Sequence, residues 1–255
     1  SHLDVVPDNV ATIDNAFTLR NEAEKYLFTC YSYLPQEGDI RFNIGMLAGD
    51  EMWKNELILP DLGNFEIAKG NQNVGNPEFN VWDGTNFGAG PDGNYNIYQG
   101  IRNCNIFIEN LEDETKVRDL PDFDRSRWIA EAKFLKAYYH YYLMRMYGPI
   151  PIIDQNIPIE ASTEEINVYR EPVDEVVNFI VNLLDESAAD LPEEILDTGN
   201  ELGRITKPIA LGIKAEVLLL AASPLFNGNP DYAGFVDNRG TQLVNTTPDP
   251  EKWKL

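Results

Sequence analysis

The stretch Arg127 to Pro151, RWIAEAKFLKAYYHYYLMRMYGPIP, constrains the fold more than any other part of this chain. Trp128, Ala132, Leu135, Tyr139, Tyr142 and Met146 recur at steps of three and four, so a helix places them in one apolar stripe. Ala130, Phe134, Ala137, Tyr138 and Tyr141 form a second stripe by the same rule. Apolar residues on two faces predict a helix wedged between neighbours, not one laid on a surface. Gly148 can adopt positive φ at the helix end, and Pro149 and Pro151 then send the chain out extended. The tyrosines and Trp128 read as core packing, each polar tip finding a partner.

Other helices follow from the same periodicity. Leu19, Ala23, Tyr26, Leu27, Cys30 and Leu34 predict a first helix, with Thr18 as N-cap and Pro35 as stop. Tyr95 to Leu111 predicts a second, with Ile97, Ile101, Cys104, Ile108 and Leu111 inward and Asn103 and Asn105 off that face. After an extended crossover from Pro151, Pro172 opens a helix striped by Val173, Val176, Val177, Ile180, Leu183, Leu184 and Leu191, with Pro192 as its stop. Thr206 caps the last long helix, with Pro208 in its first turn and Ala210, Ile213, Lys214, Val217, Leu218 and Ala221 on one side. The fold class is therefore mainly α, built from helix pairs stacked side by side.

Residues 36–94 break the pattern. Gly, Asn, Asp and Pro punctuate the stretch, as in GNQNVGNPEFNVWDGTNFGAGPDGN. A loop region this long in a compact domain is functional or disordered, and its aromatics, Trp53, Phe65, Phe79, Trp82 and Phe87, argue against disorder.

The chain holds 255 residues, 43% of them hydrophobic, which is enough for a sizeable core. Its 42 acidic and 20 basic residues give a net charge of −22, which disfavours nucleic-acid binding and docking on anionic membranes. Cys30 and Cys104 lie on apolar helical faces, without zinc-ligand spacing; a bridge between them stays open. The longest aliphatic run, Val217 to Ala222, is far short of a membrane span.

Catalytic material is sparse. His140 lies inside the long helix and reads as a core or boundary histidine, and Ser1-His2 reads as a vector remnant. No nucleophile elbow, zincin motif, P-loop or dinucleotide fingerprint is present, and nothing calls for a cofactor. Asp83 and Asp92 sit among glycines, but EF-hand spacing fails at Asn94, so no metal site is assigned. Asp50-Glu51 and Glu164-Glu165 are the carboxylate pairs that an all-α glycoside hydrolase could use.

The loop aromatics carry the sharper expectation. A sugar ring offers an apolar face of C–H groups and a rim of hydroxyls, which suits a flat aromatic bordered by amides, carboxylates or guanidinium groups. Trp53 stands among Asp50, Glu51 and Asn55; Trp82 stands near Asp83 and Asn86, with Tyr95 further on. The competing reading is that both tryptophans pin loops to helices.

RWIAEAKFLKAYYHYYLMRMYGPIPII resembles the signature helix of the SusD/RagB family of outer-membrane glycan-binding lipoproteins. RITKPIALGIKAEVLLLAASPLFNG, from Arg204 to Gly228, is a second match; LDVVPDN at Leu3 and YQGIRNCNIFIENL at Tyr98 are weaker ones. The resemblance implies a tetratricopeptide-like scaffold with long irregular loops, forming a single region over residues 1–255 with a loop insertion at about 36–94. It implies that the C-terminal part of the family fold lies outside this chain. It further implies non-catalytic capture of an oligosaccharide or polysaccharide, with Trp53 as the aromatic after an acidic doublet and Arg41 upstream of it. A TonB-dependent, SusC-like transporter would be the partner, and a lipid anchor on an upstream cysteine would hold the protein on the outer membrane. Within the family, peptide or other nutrient capture is the alternative; outside it, a glycoside hydrolase or a peptide adaptor.

Overall fold

The computed structural model describes residues 13–39, 42–50, 53, 55, 65–84, 96–158 and 160–254. Among them are α1 (Ile13–Ala16), α2 (Arg20–Tyr31), α3 (Ile44–Ala48), α4 (Phe65–Ala68), α5 (Ile97–Glu112), α6 (Asp122–Tyr147), α7 (Thr163–Ile166), α8 (Val173–Asp190) and α9 (Lys207–Ala222). Pairing between extended segments among these residues is confined to two isolated bridges, Ile150 with Glu171 and Val236 with Gln242. None of the described helices is long and apolar enough to cross a membrane.

The long helix is wedged, as its two stripes predict. α6 packs against α5 on one side and α8 on another, α2 adds to the α5 layer, and α9 packs on α8. Trp128, Ala132, Leu135, Tyr139 and Tyr142 are buried from the first stripe, and Ala130, Phe134, Ala137 and Tyr141 from the second. The helix starts five residues before Arg127, at Asp122, and Asp122 and Asp124 suit the positive end of its dipole. It stops at Gly148, whose φ of 69° favours glycine and whose N–H donates to Met144 O. Gly100 serves a different need: a Cβ there would lie 2.9 Å from Tyr33 Cβ, so only glycine lets α5 approach Tyr33 and Tyr139 this closely.

Three of the α6 tyrosine tips make hydrogen bonds. Tyr139 Oη donates to the Cys30 carbonyl, Tyr138 Oη donates to Glu37 at 3.0 Å, and Tyr147 Oη accepts from the Val81 N–H at 3.1 Å. Cys30 and Cys104 are both buried and remain thiols. Burial, with Cys104 beside it, pushes the Cys30 thiol well up, which keeps it protonated and inert.

Two expectations of the sequence are corrected, and a third, Thr206, holds in position alone. Thr18 does not cap α2; its hydroxyl donates back to Asn15 O, and Asp119 accepts from the Arg20 N–H at 2.9 Å instead. A side chain 99 residues away thus does what a local cap would do. Thr206 sits at the α9 N-cap without a side-chain hydrogen bond. Asn105, read as off the packed face, is 6% exposed, because the crossover at Ile153 to Asn156 covers it.

Charged residues lie in the core. Glu131 is fully buried on α6 and meets Arg127 Nε at 3.1 Å, Arg204 Nη2 at 3.0 Å and the Tyr31 hydroxyl at 2.6 Å. Tyr31 Oη also accepts the Ile205 N–H at 3.1 Å, and Glu201 bridges back to Arg127 and Arg204. The cluster ties α2, α6 and the approach to α9 together. Burial raises the Glu131 carboxyl above its ordinary range, while Arg204, Tyr31 and Arg127 pull it down. Nearby, Lys136 is 5% exposed at its side chain and meets Asp154 Oδ1 at 2.7 Å.

His140 is a core histidine. Its Nδ1 lies 2.8 Å from Lys136 O and its Nε2 accepts the Ile153 N–H at 3.1 Å, so the neutral Nδ1–H tautomer fits both neighbours. Burial, reinforced by the Lys136 ammonium, lowers its pKa to about 4.

Two outcomes follow from the buried polar groups. Glu131→Gln strips the charge that faces two buried guanidinium groups and should cost roughly 3–5 kcal/mol in urea unfolding; a loss below about 1 kcal/mol would remove the cluster from its tying role. His140 binds its proton more weakly folded than unfolded, so its contribution is complete above the unfolded pKa of 6.5 and is lost as pH falls towards about 4. Between about pH 7 and about pH 5 the parent should lose about 2 kcal/mol more than His140→Gln; equal losses would place the titration elsewhere.

Candidate functional site: the loop aromatics beside the helical frame

The frame fixes where the loops sit. In the first part, α3 buries Ile44 and Leu47, and Asn43 caps it by accepting the Met46 N–H at 3.1 Å. α3 packs against α4, and Phe65 at the start of α4 is 1% exposed. Trp53 meets that buried ring edge-on, with centroids 5.4 Å apart and planes at 67°, yet is itself 60% exposed. One edge is therefore anchored while most of the indole faces solvent. Asp50 and Asn55, from the same expected constellation, are also exposed.

The second part is held by amide side chains. Gln72 Oε1 accepts the N–H groups of Glu78 at 2.6 Å and Phe79 at 3.2 Å, while its Nε2 donates to Phe79 O at 2.8 Å. Asn80 Oδ1 accepts the N–H groups of Trp82 and Asp83, and its Nδ2 donates to Asp83 Oδ1. Val81 is buried, and its carbonyl accepts the Ile97 N–H at 2.8 Å, fastening the loop to the start of α5. Such local side-chain bonds replace a ladder that polar, Gly-rich sequence cannot form.

The two tryptophans differ in kind. Trp82 is half-buried, edge-on to Tyr98 and to Tyr147 at 5.2 Å each, with the Arg170 guanidinium 5.1 Å above its ring. It fastens the loop to the ends of α5 and α6, as the pinning reading holds. Asp83 is beside it through Asn80, but no ring contact joins Trp53 to Trp82. The remaining expected residues, Arg41, Asn86 and Tyr95, lie outside the described residues, as do Glu51 and Asp92.

Tyr98, Tyr147 and Arg170 were not singled out by sequence. Their signal is faint: a tyrosine in the first turn of α5, another ending α6, and an arginine in the crossover. Burial pushes the Tyr98 hydroxyl well up, and its oxygen has no hydrogen-bond partner among the described residues. The carboxylate pair Glu164-Glu165 has a structural use: Glu165 and Ser162 form a reciprocal capping box on α7, and Ser162 lowers the Glu165 carboxyl. Among the described residues no group of three or more His, Cys, Asp or Glu side chains could hold a metal ion.

Trp82→Ala should lower stability by roughly 2–4 kcal/mol, since it deletes the ring between Tyr98 and Tyr147. Trp53→Ala should change it by less than about 0.5 kcal/mol. Urea unfolding of both variants checks the contrast, and equal losses would contradict it.

Comparisons with known proteins agree with the helical architecture. The SusD-like model described as "Starch-binding associating with outer membrane" matches residues 49–219. A SusD-like protein of Bacteroides ovatus is 27% identical over 169 residues, covering 62% of this chain and 29% of that protein. The solved structure of BT4246 is 31% identical with a TM-score of 0.65, covering 93% of this chain and 38% of its own. A SusD-like protein from Bacteroides fragilis, 21% identical with a TM-score of 0.63, covers 84% of this chain and 37% of its own and shares the fold. The chain thus spans about a third of the length of these relatives. Because the family model spans well over half of the chain, including the whole of α5, α6 and α8, the chain belongs to the SusD-like family, described as starch-binding proteins that associate with the outer membrane.

Proposed function

We propose that this chain takes part in non-catalytic capture of an oligosaccharide or polysaccharide at the cell surface. The observation that carries the reading is Trp53: a 60% exposed indole, anchored by one edge to buried Phe65, within the region the family model matches. An exposed, rigidly backed ring can stack on the C–H face of a sugar with little loss of side-chain freedom. Asp50 and Asn55 supply polar groups close to it in sequence, and Trp82 with Asp83 forms the neighbouring part of the loop region. Arg41, Asn86 and Tyr95 complete the proposed set.

Family membership supports the remaining parts. The captured glycan would pass to a TonB-dependent, SusC-like transporter, and a lipid anchor would hold the whole protein on the outer membrane. In this reading residues 1–255 form one region of that protein, with the loops of 36–94 inserted into the helical frame. The net charge of −22 agrees with a neutral ligand better than with a polyanion.

Affinity electrophoresis against starch, laminarin, xylan and mannan, with product analysis of each incubation, tests the proposal. The expected result is retardation by at least one polysaccharide, no breakdown products, and affinity lowered roughly tenfold by Trp53→Ala. Breakdown products would establish an enzyme, and unchanged affinity of Trp53→Ala would remove the indole from the site.

A further inference from the structure

Cations are outnumbered in this chain, with 20 basic residues against 42 acidic ones, and most of them are engaged. Arg20, Arg127, Arg145, Arg204 and Arg239 pair with carboxylates. Arg118 and Arg125 donate to backbone carbonyls. Among the described arginines, the side chains of Arg102 and Arg170 do neither, and both are exposed.

Arg170 differs from Arg102 in being held in place. Its Cζ lies 5.1 Å over the centroid of Trp82, which Tyr98 and Tyr147 fix edge-on. The backbone is fastened on both sides: Arg239 Nη2 donates to Arg170 O at 2.9 Å, and the Glu171 N–H donates to Ile150 O at 2.9 Å. Arg239 is itself fixed, by Asp237 at 2.6 Å and by the Tyr169 ring, whose centroid is 4.3 Å away.

A guanidinium resting on a ring keeps its donors. Its nitrogens lie in one plane, so the N–H groups form a fixed fork that the ring does not occupy. Capping Trp82 uses the charge alone, and the fork is left over. A guanidinium is weakly hydrated for a cation, so its transfer from water to a ligand oxygen costs little. The ring beneath also removes part of the side-chain freedom that binding would otherwise have to freeze.

We propose that Arg170 is a ligand-binding residue beside Trp82, its fork donating to two neighbouring hydroxyl oxygens of a neutral sugar unit. The inference rests on the reading of the protein as a glycan binder. It brings the crossover before α8 into a site otherwise drawn from the loops of 36–94. Asp83, exposed and next to Trp82 in sequence, supplies a carboxylate that accepts. A hydroxyl both gives and takes a hydrogen bond, so a donor and an acceptor beside one ring suit a sugar. A carboxylate on the ligand would also match the fork. It would, however, meet Asp83 and the net charge of −22, which favours the neutral unit.

The test is calorimetric titration with hexaoses of α-1,4-glucan, β-1,3-glucan, β-1,4-xylan and β-1,4-mannan, and with tetragalacturonate as the anionic probe. The expected result is binding of at least one neutral hexaose, weakened about tenfold by Arg170→Ala. Arg170→Lys keeps the charge over Trp82 but not the fork, and should stay at least about threefold weaker than the parent. Arg102→Ala removes the same charge elsewhere and should leave the affinity unchanged. If Trp53→Ala weakens binding and Arg170→Ala does not, Arg170 only caps Trp82: the proposal is overturned and the glycan reading stands. Should the parent bind no hexaose, both fall. Equal losses in Arg102→Ala and Arg170→Ala, or full recovery in Arg170→Lys, would reduce the effect to charge and overturn the fork. Binding of tetragalacturonate alone would overturn the neutral-sugar assignment.

Discussion

A buried carboxylate holds three distant parts of the sequence in one place. Glu131 sits mid-helix on α6 with no solvent exposure, and its oxygens take Arg127, Arg204 and the Tyr31 hydroxyl. Desolvating such a group is costly unless its partners are well placed, so the fold must bring Tyr31 and Arg204 to it from far along the chain. Apolar packing alone would let helices slide by a turn, because one Leu or Ala resembles the next. A charge with directional partners has one good position. Arg204 extends the constraint by reaching the rings of Phe28 and Trp128, 6.0 and 5.7 Å from their centroids. The helical frame and the register of its pairs both depend on this cluster.

From that frame the polar interior continues along α6. Lys136 and His140 stand one turn apart and fasten the crossover through Asp154 and the Ile153 N–H. Tyr147 ends the helix and accepts the Val81 N–H, fixing the loop that carries Trp82. One helix therefore supports both the core and the base of the loop region. A site carried on such a support is positioned more accurately than one carried on its own loop.

The helices were legible because burial imposes a period of 3.6 on the sequence, and α5, α6, α8 and α9 all show it. What was illegible needed contacts between remote residues. Nothing local says that Asp119 caps α2 in place of Thr18, or that the crossover buries Asn105. Glu131, Arg127 and Arg204 would each read as a wet position, since their charge is cancelled only in three dimensions. Of the candidate site, the sequence offered aromatic residues in polar loops, and two equivalent tryptophans. Packing separates them: Phe65 backs one edge of Trp53 and leaves it exposed, while Tyr98, Tyr147 and Arg170 enclose Trp82. Tyr98 and Tyr147 escaped notice because each sits at a helix end, where neither period nor composition sets it apart.

The central claim is that a rigid helical frame holds the loop aromatics, here proposed to take a saccharide, in place without rearranging. Hydrogen exchange, followed by mass spectrometry with and without a bound polysaccharide, measures this most directly. The account predicts that α6 exchanges slowest in the unliganded protein and is unchanged by ligand, while new protection appears in residues 43–50, at Trp53 and in residues 65–84. Protection that instead spreads through α5, α6 and α8, or exchange of α6 as fast as that of the loops, would contradict it.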